Sequence, residues 1–489
     1  MMPPRRVRLC CFRRPAPAST SSPVGSKSEA TSFAAIFSHC RAFPPLEIRL
    51  KEFSQRGRRR ITMARANAAA QNPPAARATA RSRSIEEDVL LTAVFCLVAF
   101  GAVMVYSASS AISVVAGNGD GSGLLIRYLI FAALGFIGLS LATRFPLKKL
   151  MALTGPLLAI ALILLVAVKL PGIGVSVNGA QRWIGFGAFQ FQPSELAKLA
   201  LVLYTARFLA DRPRGFKRSG ELLPLALVIG AAIVLVATQP DLGTALVVAF
   251  TCAAMLVAAG IRLRWLAGYA GVGAVLVLLY SLSAPYRRAR LTSFLNPWDH
   301  ASDIGFQAVQ GQIAIGSGGI FGRGLGQSVQ KIFYLPEAHT DFILAIIGEE
   351  LGILGLCGLL LLYVLVAWAG LRIAKAASGR YAKLLAAGLT SMIICQALLN
   401  LFAVLGIAPL TGVPLPFLSY GSTSLVTLLI AVGLLLNIAR GGSANARAAT
   451  AEPDARGSED EHADDLPDRS RRDRRPRSAS TRSRRRAAH

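Results

Sequence analysis

The sequence predicts an all-α polytopic membrane protein with about ten transmembrane helices and a large extracytoplasmic loop before the eighth. Hydrophobic residues make up 53% of its 489 positions, and mean hydropathy is +0.50. Both values are too high for a typical water-soluble globule. The apolar residues also gather in blocks of roughly 20, the length a helix needs to cross a hydrocarbon core of about 30 Å.

Ten such blocks run near 88–112, 124–143, 150–169, 194–210, 222–239, 241–260, 264–284, 342–371, 384–405 and 420–438. Only Gln239-Pro240-Asp241 separates the fifth from the sixth, which reads as a tight turn between antiparallel spans. Leu, Val and Ala with interspersed Gly suit helices that pack on helices in lipid.

Basic residues in the short loops set the orientation. One set of loops carries Arg144, Lys148 and Lys149, then Arg212, Arg214, Lys217 and Arg218, then Arg262 and Arg264, then Arg372, Lys375, Arg380 and Lys383. The alternating set is nearly free of them, with Arg182 alone at 170–192. Ten spans with this alternation place both termini in the cytoplasm. The loop 285–340 lies outside by the same count yet holds Arg287, Arg288, Arg290, Arg323 and Lys331. Basic residues against the trend point to a local reason such as an anionic ligand.

Net charge is +27, but more than half of it lies in the tails. Residues 1–85 hold 17 Lys and Arg against 3 acids, contain no apolar run of signal-peptide length, and read as a disordered basic cytoplasmic tail. Met63 is a candidate start. Residues 86–440 form the membrane domain. Residues 441–489 read as a second disordered cytoplasmic tail, acidic around Glu459–Asp465 and then basic from Arg469. Basic arms of this kind are drawn to anionic lipid on the inner leaflet, which disfavours a nucleic-acid reading of the charge. Of seven cysteines, Cys96, Cys252, Cys357 and Cys395 fall within spans as small hydrophobes, and no Cys/His spacing suggests a metal site.

Four outward-facing segments can carry chemistry. In the first, Pro193 suits the start of the fourth span. Glu195 and Lys198, three apart, share a helix face as an ion pair that is either structural or substrate-binding. Arg182 and Trp183 just before them fit phosphate and sugar, or an interfacial anchor. The second is Gly316–Gly326, whose backbone N–H groups beside Arg323 form a candidate anion cradle, with a flexible loop as the alternative. In the third, Glu337, His339 and Asp341 run into an apolar helix that carries Glu349 and Glu350. Thr340 and Asp341 are also good N-cap types. A carboxylate as deep as Glu349 must be paired, protonated or watered. Glu350 points about 100° further round, so the two do not easily share one partner. The fourth, Gly406–Ser422, holds Pro416 and Ser419 in a stiff, proline-rich loop. Non-helical backbone at membrane depth is tolerated only against protein or a wet cavity.

These segments resemble the SEDS family (shape, elongation, division, sporulation) over about residues 85–440, and its cell-division branch more than its elongation branch. The resemblance rests on Ser328–Phe342 with Gly348-Glu349-Glu350-Leu351-Gly352, on Asn178–Trp183, on Gln192–Lys198, on Gln239–Thr244 and on Pro414–Gly421. Departures are small: Ser422, Phe306 and the Asn296-Pro297-Trp298 segment.

The resemblance implies a peptidoglycan glycosyltransferase that polymerises lipid II on the outer face of the bacterial cytoplasmic membrane, at the division septum. Asp341 is then the general base. Arg182, Trp183, Glu195, Lys198, Glu337, His339, Arg323 and Ser419 are the substrate-binding set, with Glu349, Glu350 and Pro416 supporting. A class B penicillin-binding transpeptidase of FtsI type and other divisome membrane proteins are the implied partners. No motif demands a metal, and a divalent cation is one further source of charge for the departing diphosphate. A lipid II flippase and a non-catalytic division scaffold are the alternatives.

Overall fold

The structure, a computed structural model, describes residues 84–451 apart from 116–121, 178, 187–188, 213–214, 283–287, 290–293, 304 and 333. Arg287, Arg290 and nearly all of both tails therefore lie outside the described residues. The described elements are α1 (Ile85–Val115), α2 (Gly123–Arg144), α3 (Leu147–Ala167), β1 (Gly174–Val177), β2 (Ala180–Phe186), β3 (Phe189–Phe191) and α4 (Pro193–Ala210). They continue with α5 (Leu223–Ala237), α6 (Leu242–Ala258), α7 (Leu263–Leu282), α8 (Phe306–Gly318), α9 (Ile343–Ala376), α10 (Arg380–Val404) and α11 (Ser422–Ala451).

Eight of these helices are long and apolar enough to cross a membrane. Two more complete the ten predicted spans. α6 has 17 residues, and α4 has 18 with Glu195, Lys198 and Arg207 among them. At about 1.5 Å per residue either reaches most of the way across the hydrocarbon core. The charges on α4 are tolerable because protein, not lipid, surrounds it. Leu199, Val202 and Leu203 pack into the larger apolar cluster, built mainly from α1, α2, α9, α10 and α11. Ala197, Ala200 and Leu201 pack into a second cluster shared with α3, α5 and α6. Lipid-facing positions show the reverse: Leu141, Ile163, Leu227 and Leu276 each expose 60% or more of their surface. α7 is the most peripheral span, tied to its neighbours by Tyr269 and Tyr280 hydroxyls that donate to Ser219 O (3.0 Å) and Ala237 O (2.6 Å).

Two segments read from sequence as loops between spans contain structure. β1, β2 and β3 form a three-stranded antiparallel sheet, order β1-β2-β3, with Gly174 opposite Ile184 and Ile184 opposite Phe191. Within 285–340 lies α8, whose apolar content is too short and too mixed to register as a span. It buries Val309, Gly311, Ala314 and Gly318.

The eighth span also departs from expectation, because α9 is broken at Gly352, where φ is +65° and ψ is −160°. The segment after α8 takes the backbone groups that the break frees. Arg323 N–H donates to Glu349 O (3.0 Å) and Gly324 N–H to Glu350 O (2.9 Å), while Gly319 O and Ile320 O accept from Ile353 (3.0 Å) and Leu354 (3.2 Å). This meets the requirement that non-helical backbone at membrane depth be satisfied by protein. The approach needs glycine on both sides: a Cβ on Gly352 would sit 2.4 Å from Gly322 N, and one on Gly322 2.2 Å from Glu350 O. The anion cradle expected over Gly316–Gly326 is thereby corrected, since the N–H groups of Gly322, Arg323 and Gly324 are engaged by backbone carbonyls.

Candidate active site

Asp341 stands two residues before α9, whose N-cap position is Phe342 and carries no side-chain cap. Asp341 therefore does not occupy the N-cap position itself, and it is half-buried at the entry to the helix. Glu337 enters this turn in the left-handed region, φ +56°, and its carbonyl accepts from Thr340 N (3.1 Å) and Phe342 N (3.4 Å). The Thr340 hydroxyl, with a single proton to donate, lies within reach of Glu337 Oε2 (2.8 Å), Glu337 O (3.1 Å) and Asp341 Oδ1 (3.1 Å). His339 packs its ring 6.1 Å from that of Tyr420, and Tyr420 N–H donates to the His339 carbonyl at 3.0 Å. Burial holds the His339 imidazole below its ordinary value, with Glu337 acting in the opposite direction.

The facing wall is the proline-rich loop before α11. A Cβ on Gly412 would lie 3.7 Å from Asp341 Oδ2, which places that loop against the carboxylate. Its backbone is held from several directions. Asn400 on α10 donates to Asp341 O (2.7 Å) and Val413 O (2.8 Å). Pro416 O accepts from the Tyr363 hydroxyl (2.6 Å), Phe417 O from the Tyr128 hydroxyl (2.5 Å), and the Ser419 hydroxyl accepts from Leu415 N–H (2.8 Å). Ser419 and Pro416 thus shape the wall.

Behind the wall sits the α4 pair. Lys198 Nζ is 2.9 Å from Glu195 Oε1 and donates to Gln396 Oε1 at 2.7 Å. Gln396 Nε2 in turn donates to Pro414 O at 2.9 Å. Lys198, Glu195 and Gln396 are almost wholly buried, and each buried charge is compensated by its partner, as burial demands. Glu195 Oε2 has no partner.

Arg182, on β2, donates through Nε to Gln239 O (3.0 Å) and through Nη2 to Pro240 O. It thereby fixes the turn between α5 and α6. There Asp241 caps α6 through Thr244 N–H (3.1 Å) and accepts from Gln192 Nε2 (3.3 Å). Gly243, next to that cap, touches the loop as well, since a Cβ there would lie 2.4 Å from Thr411 O. Trp183 is half-buried on the same strand.

A second polar cluster surrounds the end of the first half of α9. Glu349 accepts from the Ser328 hydroxyl (2.5 Å) and from Val329 N–H (3.1 Å) and Gln330 N–H (3.3 Å), with Arg323 at 3.5 Å. Glu350 pairs with Lys331 at 2.9 Å, and the Ser107 hydroxyl from α1 donates across both of its oxygens at 2.7 and 2.8 Å.

A family model described as "Cell cycle protein", which spans FtsW, RodA and SpoVE, matches residues 88–443. The chain belongs to this family. Stage V sporulation protein E of Bacillus subtilis is 41% identical to it over 365 residues, which is 73% of this chain and 98% of that protein. FtsW of Trichlorobacter lovleyi, named a probable peptidoglycan glycosyltransferase, is 43% identical over 355 residues, or 72% of this chain and 93% of its own length. Among solved structures, a chain of a peptidoglycan synthase complex that coordinates polymerization and crosslinking aligns with TM-score 0.59 and 31% identity, over 72% of this chain and 96% of that one. The rod shape determining protein RodA of Thermus thermophilus aligns with TM-score 0.54 and 30% identity, over 72% and 95%.

In this FtsW-like member, the fold gathers Asp341, Glu337, His339, Ser419 and Pro416 around one loop, with Glu195 and Lys198 linked to it through Gln396. Arg182 and Trp183 approach from the sheet side by way of the α5–α6 turn. Arg323, by contrast, belongs to the Glu349 cluster, where it donates to Ser317 O (3.3 Å) as well as facing the carboxylate. Sequence reasoning passed over Asn400, Gln396 and Ser107, named Gln192 and Asp241 only within motifs and a turn without a role, and counted Lys331 only among the loop's basic residues. A signal existed for two of them: amides spaced four apart on an otherwise apolar span are expensive in lipid and face the protein interior.

Proposed function

We propose that this multi-pass membrane protein is a peptidoglycan glycosyltransferase that polymerises lipid II into glycan strands during septal wall synthesis. Asp341 is its general base. An acceptor sugar hydroxyl gives its proton to the Asp341 carboxylate as the oxygen attacks the anomeric carbon of the donor. The bond from that carbon to the lipid diphosphate breaks, and its electron pair leaves with the diphosphate. The observation that carries this reading is the placement of Asp341: half-buried, one residue outside the N-cap position of α9, and held by its own backbone carbonyl against a loop whose backbone is satisfied by protein.

Charge to meet the diphosphate comes from Arg182, whose Nη1 lies outside its two bonds to the α5–α6 turn, while Lys198, buried and paired with Glu195, acts on the site through Gln396 and the loop. A divalent cation bound by the diphosphate is one further source of charge in this reading. Both termini lie in the cytoplasm, and the chemistry lies on the opposite face. The likeness to a chain of a peptidoglycan synthase complex supports a class B penicillin-binding transpeptidase of FtsI type as partner, within a larger set of divisome membrane proteins.

The test is polymerisation of labelled lipid II by the detergent-solubilised protein with its transpeptidase partner. Transport needs two sides, whereas glycosyl transfer needs only donor, acceptor and base. The unsubstituted protein makes polymer and Asp341→Asn makes none while remaining folded. Equal polymer from both removes Asp341 as the base. No polymer from either, together with Asp341-dependent translocation in sealed vesicles, assigns a flippase.

A further inference from the structure

Gln396 and Asn400 lie four residues apart on α10 and so share a face of that helix. Both amides are buried, at 0% and 2% exposure. Each donates to a successive carbonyl of the same loop, Gln396 to Pro414 O (2.9 Å) and Asn400 to Val413 O (2.8 Å). Each also reaches one group of the candidate site. Gln396 Oε1 accepts from Lys198 Nζ (2.7 Å), and Asn400 Nδ2 donates to Asp341 O (2.7 Å). Two side chains of one membrane helix therefore join three separate pieces of chain: the entry to α9, the loop before α11, and α4.

We propose that Asn400 and Gln396 are positioning residues that hold the Asp341 carboxylate and the Lys198 ammonium in fixed register across the wall. The proposal rests on the reading of Asp341 as general base. Asn400 acts on Asp341 through its backbone: with the carbonyl fixed, the Cα is fixed, and the carboxylate can move only by side-chain rotation. Asn400 Oδ1 itself has no partner, but the donor bonds of both amides form only when both loops are seated, and a loop carbonyl that loses its donor at this depth is left unsatisfied at a cost. The loop facing Asp341 and the ammonium behind it consequently move together with α10 or not at all.

The test compares initial rates of lipid II polymerisation by the full chain with its transpeptidase partner for Asn400→Ala, Asn400→Asp and Gln396→Leu. A misplacement of about 1 Å costs roughly 100-fold in rate. The expected result is therefore a fall of that order in kcat for the Asn400 variants, at nearly unchanged KM. The thermal midpoint falls, because two carbonyls lose their donor, but the elution profile is unchanged and the rate falls far more than the folded fraction at the assay temperature. Asn400→Asp keeps the side-chain volume but cannot donate to either carbonyl as a carboxylate, which preserves the test where the alanine variant folds poorly. A rate that merely follows the folded fraction makes the residues structural and overturns the proposal, as does failure of all three variants to fold. A raised KM with unchanged kcat makes Asn400 a substrate contact and overturns it too. Normal polymerisation by Asp341→Asn removes the underlying base assignment instead, a separate result from any of these.

Discussion

Glu349 and Glu350 are neighbours on α9 and share no partner: the first faces Ser328, Val329, Gln330 and Arg323, the second Lys331 and Ser107. Consecutive helical residues point about 100° apart, which separates the two carboxylates onto different faces. Together they pin the Ser328–Lys331 turn onto α9, and Glu350 pins α9 onto α1. The turn leads directly into the strand of chain that ends at Asp341, so the pinning defines where that chain starts.

Breaking one side of this pinning leaves a buried charge. Glu350→Gln strands the Lys331 ammonium, itself 4% exposed, and the expected loss of stability is about 3–5 kcal/mol. Glu350→Gln combined with Lys331→Met removes both charges and recovers a substantial part of it. Thermal unfolding in detergent measures both; a double variant no better than the single one rejects the ion pair as the cause.

The Glu195–Lys198 pair has a different expected signature. Lys198→Met removes the ammonium that faces Gln396 and the loop, so polymerisation falls further than the thermal midpoint does. Replacing Glu195 and Lys198 together by apolar residues tests the structural alternative, because a buried pair that only holds helices is often dispensable. Full activity in that double variant would falsify a functional role for the pair.

Gly352 occupies a backbone region that side chains rarely enter, and a Cβ there meets Gly322 N at 2.4 Å. Gly352→Ala adds backbone strain and a backbone clash at once, and the expected cost is at least about 2 kcal/mol. Gly358→Ala is the control, since a Cβ there meets nothing within 4 Å. Equal thermal midpoints for the two variants contradict the account of the broken helix.

His339 makes stability depend on pH in a definite direction. Its ordinary value is 6.5 and burial holds it lower in the fold. Between the folded value and 6.5 the unfolded chain binds more protons, so stability rises with pH through that window. The contribution is fully present above 6.5 and is lost as pH falls through the folded value. Thermal midpoints measured from pH 7.5 down to pH 5 should decline less steeply for His339→Gln than for the unsubstituted protein.

The spans were legible because a bilayer imposes a length and a composition on any helix that crosses it, and both are local properties of sequence. Even α4, with three charged residues, kept the apolar block and the Pro193 start that mark a span. The acidic run ending at Asp341 stood out for a similar reason: ionisable residues against an apolar block are improbable without a function. Tertiary structure alone decided what those residues touch. Lys198 finds Gln396 across 198 positions of chain and Asn400 finds Asp341 across 59, separations at which helical periodicity carries no information. The same holds for Gly352, where a helix breaks because α8 and the chain after it supply the partners for its freed backbone groups. An apolar pattern specifies that a helix lies in lipid; which face it turns inward, and where it can afford to break, depend on neighbours that only packing brings together.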